Sequence, residues 1–175
     1  MLRSLLMCFL FLPLIAWADV EECHIHKTHS INFRDYKTKD VLEIAVGPGP
    51  CDTAVMSLLI RSVHGDVFYS YNARFAPHVT ADALDPNFDK FIQPFLDNLI
   101  TESAKKGRDM PKYNKLDARN GFIKLHVGKK QYEQLRSQHV PLFFHPNSYN
   151  GWQYIIYDPK TGRGKRIASG LSDGM

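Results

Sequence analysis

Residues 54–76 read AVMSLLIRSVHGDVFYSYNARFA, two apolar-rich runs on either side of His64-Gly65-Asp66. A glycine between two alternating runs supplies the positive φ that a tight hairpin turn needs. A two-residue turn at Gly65-Asp66 sets a register that can be checked against side-chain chemistry. It places Met56 opposite Phe75, Leu58 opposite Ala73, Ile60 opposite Tyr71 and Ser62 opposite Tyr69, an almost wholly apolar face. The other face pairs Ser57 with Arg74, Leu59 with Asn72 and Arg61 with Ser70, and suits water. A slip of one residue would mix the faces, so the pattern favours an antiparallel hairpin in this register.

Downstream, Asp85-Pro86 provides an N-cap and a first-turn proline. Phe88, Phe91, Ile92, Phe95, Leu96, Leu99 and Ile100 then recur at helical spacing, and Lys105-Lys106-Gly107 closes the run with cations and a glycine. This predicts a helix over Asp85–Lys106. Pro94 should kink it on the solvent side, because the apolar stripe keeps its phase across the proline.

Upstream, Val41–Val46 reads as a strand and Gly47-Pro48-Gly49-Pro50 as a loop, since prolines and glycines disfavour both helix and sheet interior. Residues 107–121 read as a polar loop, Phe122–Val127 as a strand and Lys129–Gln138 as a short surface helix. Val140–His145 is a further strand. Trp152–Tyr157 and Arg163–Ala168 form a last hairpin around Asp158-Pro159-Lys160-Thr161-Gly162. The order predicts one α+β domain, a curved antiparallel sheet of about five to seven strands with the helix Asp85–Lys106 packed on one face.

Residues 1–18, MLRSLLMCFLFLPLIAWA, carry one cation, Arg3, then an uncharged run from Leu5 to Ile15 and the small-x-small triplet Ala16-Trp17-Ala18. That is the pattern of a secretory signal peptide cleaved after Ala18; the run is shorter than the roughly 20 residues that span a bilayer. Residues 19–175 then form the mature domain, periplasmic or secreted, with no membrane span after cleavage. The absence of any N-x-S/T sequon favours a bacterial periplasm. Of the three cysteines only Cys23 and Cys51 survive cleavage, and a lone pair in an oxidising compartment is expected to bond to itself. Such a bridge would stabilise the fold by roughly 3–4 kcal/mol. Loss of Arg3 lowers the formal charge from +4 by one, a mildly basic balance that does not point to nucleic acid.

Three features bear on function. His24, His26 and His29 lie in a Cys-His-rich arm, and imidazoles at this density can hold Zn²⁺ or Cu²⁺; solvated histidines near a terminus are the commoner reading. Lys160, Arg163, Lys165 and Arg166 make a basic hairpin suited to an anionic surface. The segment from His145 to Trp152, with Tyr149 at its tip, has the composition of a contact loop. No G-x-S-x-G or HExxH motif is present. The expectation is an exported, non-catalytic domain without a cofactor, binding a protein partner or an anionic envelope component as an inhibitor, immunity-type or accessory protein. The alternatives are a metal-binding protein using the His-rich arm, and a hydrolase of unrecognised type.

Overall fold

The structure, a computed structural model, describes residues 22–50, 53–75, 89–148 and 150–172. The strands pair antiparallel throughout, but they divide into two sheets. The first is a meander of β1 (Glu22–Ile31), β2 (Asp40–Pro50), β3 (Val55–Arg61) and β4 (Val67–Arg74). The second comprises β5 (Ala104–Lys106), β6 (Lys124–Leu125), β7 (Pro141–Pro146), β8 (Gly151–Asp158) and β9 (Arg163–Leu171), in the order β5-β7-β8-β9-β6. Among the described residues three α-helices accompany them, α1 (Asp89–Ser103), α2 (Lys115–Arg119) and α3 (Lys129–Ser137). Among the described residues no helix is long and apolar enough to cross a membrane.

A mixed α/β arrangement of two sheets thus replaces the single curved sheet under one long helix. The reason can be read in β8, GWQYIIYD, where the first five residues are all buried. A strand with apolar side chains on both faces needs a layer on each side. On one side, Leu42, Ile44, Met56, Leu58 and Ile60 of the first sheet share a core with Leu96 and Leu99 of α1 and with Phe143 and Ile155 of the second sheet. On the other, Leu142, Tyr154 and Ile167 pack with Met110, Ile123 and Tyr132. Burying a side chain of the size of Leu58 or Ile60 contributes roughly 1.5–3 kcal/mol, enough to hold the inward row of β3 in place.

The hairpin of β3 and β4 is present with its faces as expected, but its register from Val55 to Ile60 is displaced by two residues. Met56 pairs with Ala73, Leu58 with Tyr71 and Ile60 with Tyr69. Ser62 braces the turn. Its hydroxyl accepts from the backbone N–H groups of His64 and Asp66 and donates to the Asp66 carboxylate, so the chain turns from Ser62 onward instead of at Gly65-Asp66 alone. A shift of two preserves which side chains face inward, and so the pattern of apolar residues cannot distinguish the two registers.

Residues 85–88 lie outside the described residues, and the helix is described from Asp89. Pro94 is inside it and exposed, on the solvent side. The helix stops at Ser103, not Lys106. Ala104–Lys106 extend instead to pair with Phe143, Leu142 and Pro141 of β7, and Lys105 forms an ion pair with Glu102. The 107–121 segment, expected as loop, holds a 3-10 turn (Gly107–Asp109) and α2, whose first turn is capped by the Asn114 side chain. Gly47-Pro48-Gly49-Pro50 belongs to the end of β2, with Gly49 opposite Cys23 and Pro50 opposite Glu22. There β2 has a partner on one side only, since β3 pairs with it only as far as Val46, so prolines are tolerated as at a sheet edge.

Candidate functional site

The two sheets meet at a buried polar cluster. From β4, the Tyr69 hydroxyl lies 2.7 Å from His145 Nε2 on β7, and the Gln153 amide nitrogen on β8 lies 2.9 Å from the same ring nitrogen. His145 Nδ1 is 2.7 Å from the Pro146 carbonyl oxygen. A carbonyl only accepts, so Nδ1 is assigned the proton and Nε2 becomes the acceptor facing the Tyr69 hydroxyl and the Gln153 amide. Tyr71, one step along β4, donates to the Asn147 carbonyl, and its ring lies 4.6 Å from the imidazole. Burial pushes the Tyr69 phenol well above its ordinary range, and Tyr71 upward as well. Among the described residues no buried side-chain nitrogen or oxygen is left without a partner.

A second polar pair ties β6 to β9. His126 Nε2 is 2.8 Å from Ser169 Oγ, and the His126 backbone N–H donates to the Ile167 carbonyl. Desolvation first, then the Arg166 and Lys124 charges, lowers the pKa of His126 and so favours its neutral ring. Ser169 lines a cleft of about 590 Å³ with Lys124, Leu125 and Leu171. Among the described residues no carboxylate hydrogen-bonds His126, so the pair lacks the third group that orients the base in a catalytic triad.

The residues singled out in the sequence separate into distinct environments. His145 is fully buried and Trp152 is 9% exposed, so neither belongs to a surface contact loop; both are corrected to interior positions. Their strands are central to the second sheet, and the aromatic composition that resembles a hot spot is here core packing. Tyr149 lies outside the described residues. Lys160, Arg163, Lys165 and Arg166 are exposed around the β8–β9 hairpin, and none has an acidic partner within ion-pair distance among the described residues.

His24, His26 and His29 are all exposed on β1. His26 and His29 fall on opposite faces by strand alternation, and His26 Nε2 is already 2.8 Å from Glu43 Oε1. The His26 hydrogen bond and then the Arg61 guanidinium hold the Glu43 carboxyl below its usual range. The structure does not gather the three imidazoles into one shell, and among the described residues no group of three or more His, Cys, Asp or Glu converges on a metal position. Cys23 is buried; Cys51 lies outside the described residues.

A pocket of about 340 Å³ lies where the second sheet ends beside the basic hairpin. Leu135 of α3, Val140 and Pro141 at the start of β7, and Ile156 and Tyr157 of β8 supply its apolar wall, over the buried ring of Phe33. Lys160, Lys165 and Arg34 also line it. Neither the tyrosine–histidine–glutamine cluster nor this pocket follows from the sequence alone, because each joins residues far apart in the chain. No protein-family model matches the chain, and no curated protein or solved structure matches it.

Proposed function

We propose that this chain is an exported, non-catalytic domain that binds an acidic protein partner in the cell envelope, with the β8–β9 hairpin as its contact surface. The observation that carries the reading is the group of four exposed cations, Lys160, Arg163, Lys165 and Arg166, none of them neutralised by a carboxylate among the described residues. Charge of one sign on a fixed scaffold steers an oppositely charged partner and restricts its orientation. The hairpin is fixed because β8 and β9 pair from Gly151–Leu171 to Asp158–Arg163, and Gly164 lies against the Tyr69 ring of the first sheet. A surface already in its binding shape loses little freedom on association.

Export and the bridge between Cys23 and Cys51 belong to the same proposal. Support for the bridge comes from the β1–β2 register, in which Cys23 faces Gly49, two residues short of Cys51. Expressed with residues 1–18 in a bacterial host, the protein recovered from the periplasm should begin at Asp19 and contain no free thiol. Immobilised, it should retain one acidic envelope protein in stoichiometric amount, released by raised salt and bound again after purification. A variant carrying Lys160→Glu, Arg163→Glu, Lys165→Glu and Arg166→Glu, with unchanged circular dichroism, should not retain it. Equal retention by the variant, or no stoichiometric partner, overturns the proposal.

A further inference from the structure

The pocket beside the hairpin has the chemistry of a small-molecule site, and it shares Lys160 and Lys165 with the protein-binding surface. Its wall is built from four parts of the chain that are held independently. The Arg34 wall cannot fold inward, because its guanidinium is 2.8 Å from Asp40 Oδ1, its backbone N–H donates to Asp40 Oδ2, and Asp40 is fully buried. The guanidinium also stacks 4.7 Å over the Phe68 ring. At the base, the Tyr157 ring meets Phe33 and Phe68 edge to face, which fixes the aromatic floor. Leu135, Val140, Pro141, Ile156 and Tyr157 are all partly exposed, an apolar surface left open between fixed elements. Its volume falls within the range of natural ligand pockets, roughly 300–1,000 Å³.

The polar groups around this pocket are not equivalent. Arg34 is neutralised by Asp40, and the Asp158 carboxylate accepts the Lys160 backbone N–H within the hairpin turn. Lys160 and Lys165 remain, with no carboxylate within ion-pair distance among the described residues. We propose that this pocket binds a small amphiphilic anion of the medium-chain carboxylate class, its apolar body against Leu135, Val140 and Ile156 and its charged end between Lys160 and Lys165. The division is dictated by the chemistry: the apolar wall offers nothing to a polar head, and the two ammonium groups offer nothing to a hydrocarbon tail. A neutral alcohol of the same length keeps only the first half of the recognition, and a short carboxylate only the second.

Decanoate, decanol and acetate serve as probes, followed by titration calorimetry on the mature protein. Decanoate should bind at a single site, decanol roughly tenfold more weakly and acetate not measurably. Lys160→Ala with Lys165→Ala should bring decanoate down to the level of decanol at an unchanged melting temperature. Leu135→Trp, which fills the apolar half, should abolish binding of both long-chain probes. Should that variant prove unstable, Leu135→Phe takes its place, with weakened binding expected. Absence of decanoate binding, or affinity equal to that of decanol, or affinity indifferent to both sets of variants, overturns the proposal. Arg163 and Arg166 do not line the pocket, so Leu135→Trp tests this site without removing the cations that capture the protein partner.

Discussion

The His145 ring sits between a phenol, an amide and a carbonyl, and removing it takes a hydrogen-bond partner from each, leaving the Tyr69 hydroxyl and the Gln153 amide only their contact with one another. His145→Ala deletes a fully buried ring and leaves the Tyr69 hydroxyl and the Gln153 amide facing a cavity. The expected loss is about 3–5 kcal/mol, combining the void with unsatisfied groups. Tyr69→Phe removes one hydroxyl and keeps the ring, so its expected loss is about 1 kcal/mol. Urea denaturation of the two variants checks the difference; equal midpoints would mean that the cluster adds nothing beyond an ordinary hydrogen bond. In sequence, His145 reads as the mouth of a contact loop. Its role was not legible because Tyr69 lies 76 positions away and β7 is flanked by apolar residues on both faces only once the layers are assembled. By contrast, the four hairpin cations were legible, since a short turn with charges and glycines has few ways to bury them.

At the scale of elements, local pattern and tertiary pairing disagree in instructive places. The inward row Met56, Leu58, Ile60 follows from alternation, whereas the two-residue displacement of β4 keeps the same side chains inward and so leaves no trace in the apolar pattern. Helical periodicity identified α1, yet Lys105 and Lys106, which look like a C-terminal cation cap, are drawn into β5 because β7 offers a partner strand. The Gly-Pro-Gly-Pro run looked incompatible with a sheet, and its inclusion rests on Gly47. That residue has φ of +104°, a left-handed conformation closed to most side chains, and a Cβ there would run into the Cys23 carbonyl oxygen. Gly47→Ala is therefore expected to destabilise by at least about 2 kcal/mol and to loosen the N-terminal half of β1. Gly49 has a similar φ of +131° but open space around it, so Gly49→Ala should be the milder change. Amide exchange at Ile25 and Val46 distinguishes a local opening from global loss; unaltered protection in the Gly47 variant would contradict the argument.

For the whole molecule, the ionisable groups define a plateau of stability with a cause at each edge. Glu43 and Glu133 have carboxyls held below the ordinary value of 4.5, by hydrogen bonds from His26 and Arg136 respectively, so their contribution is present above that value and lost as pH falls through the lowered one. His126, lowered from 6.5 mainly by desolvation, favours the folded state when neutral, and that advantage declines as pH falls below 6.5. The alkaline edge is set by buried phenols in both cores. Tyr69 lies between the sheets and Tyr132 in the second core, both pushed upward by burial, and Tyr154 beside it is pushed up to about 12 from 10.0. A folded chain that holds these protons more tightly than the unfolded chain is fully stabilised below pH 10 and loses that stability as pH rises toward 12. For Tyr154 alone the loss across that range is about 3 kcal/mol. Circular dichroism and tyrosinate absorbance followed together should show the exposed phenols ionising first, and these three only with cooperative unfolding. Tyr154→Phe removes a hydroxyl that donates to the Asp109 carbonyl and lowers stability at neutral pH, but it also removes the proton whose release drives alkaline unfolding. Its unfolding curve should therefore be flatter between pH 10 and 12 than that of the wild type; parallel curves would show that ionisation of Tyr154 is not coupled to the fold.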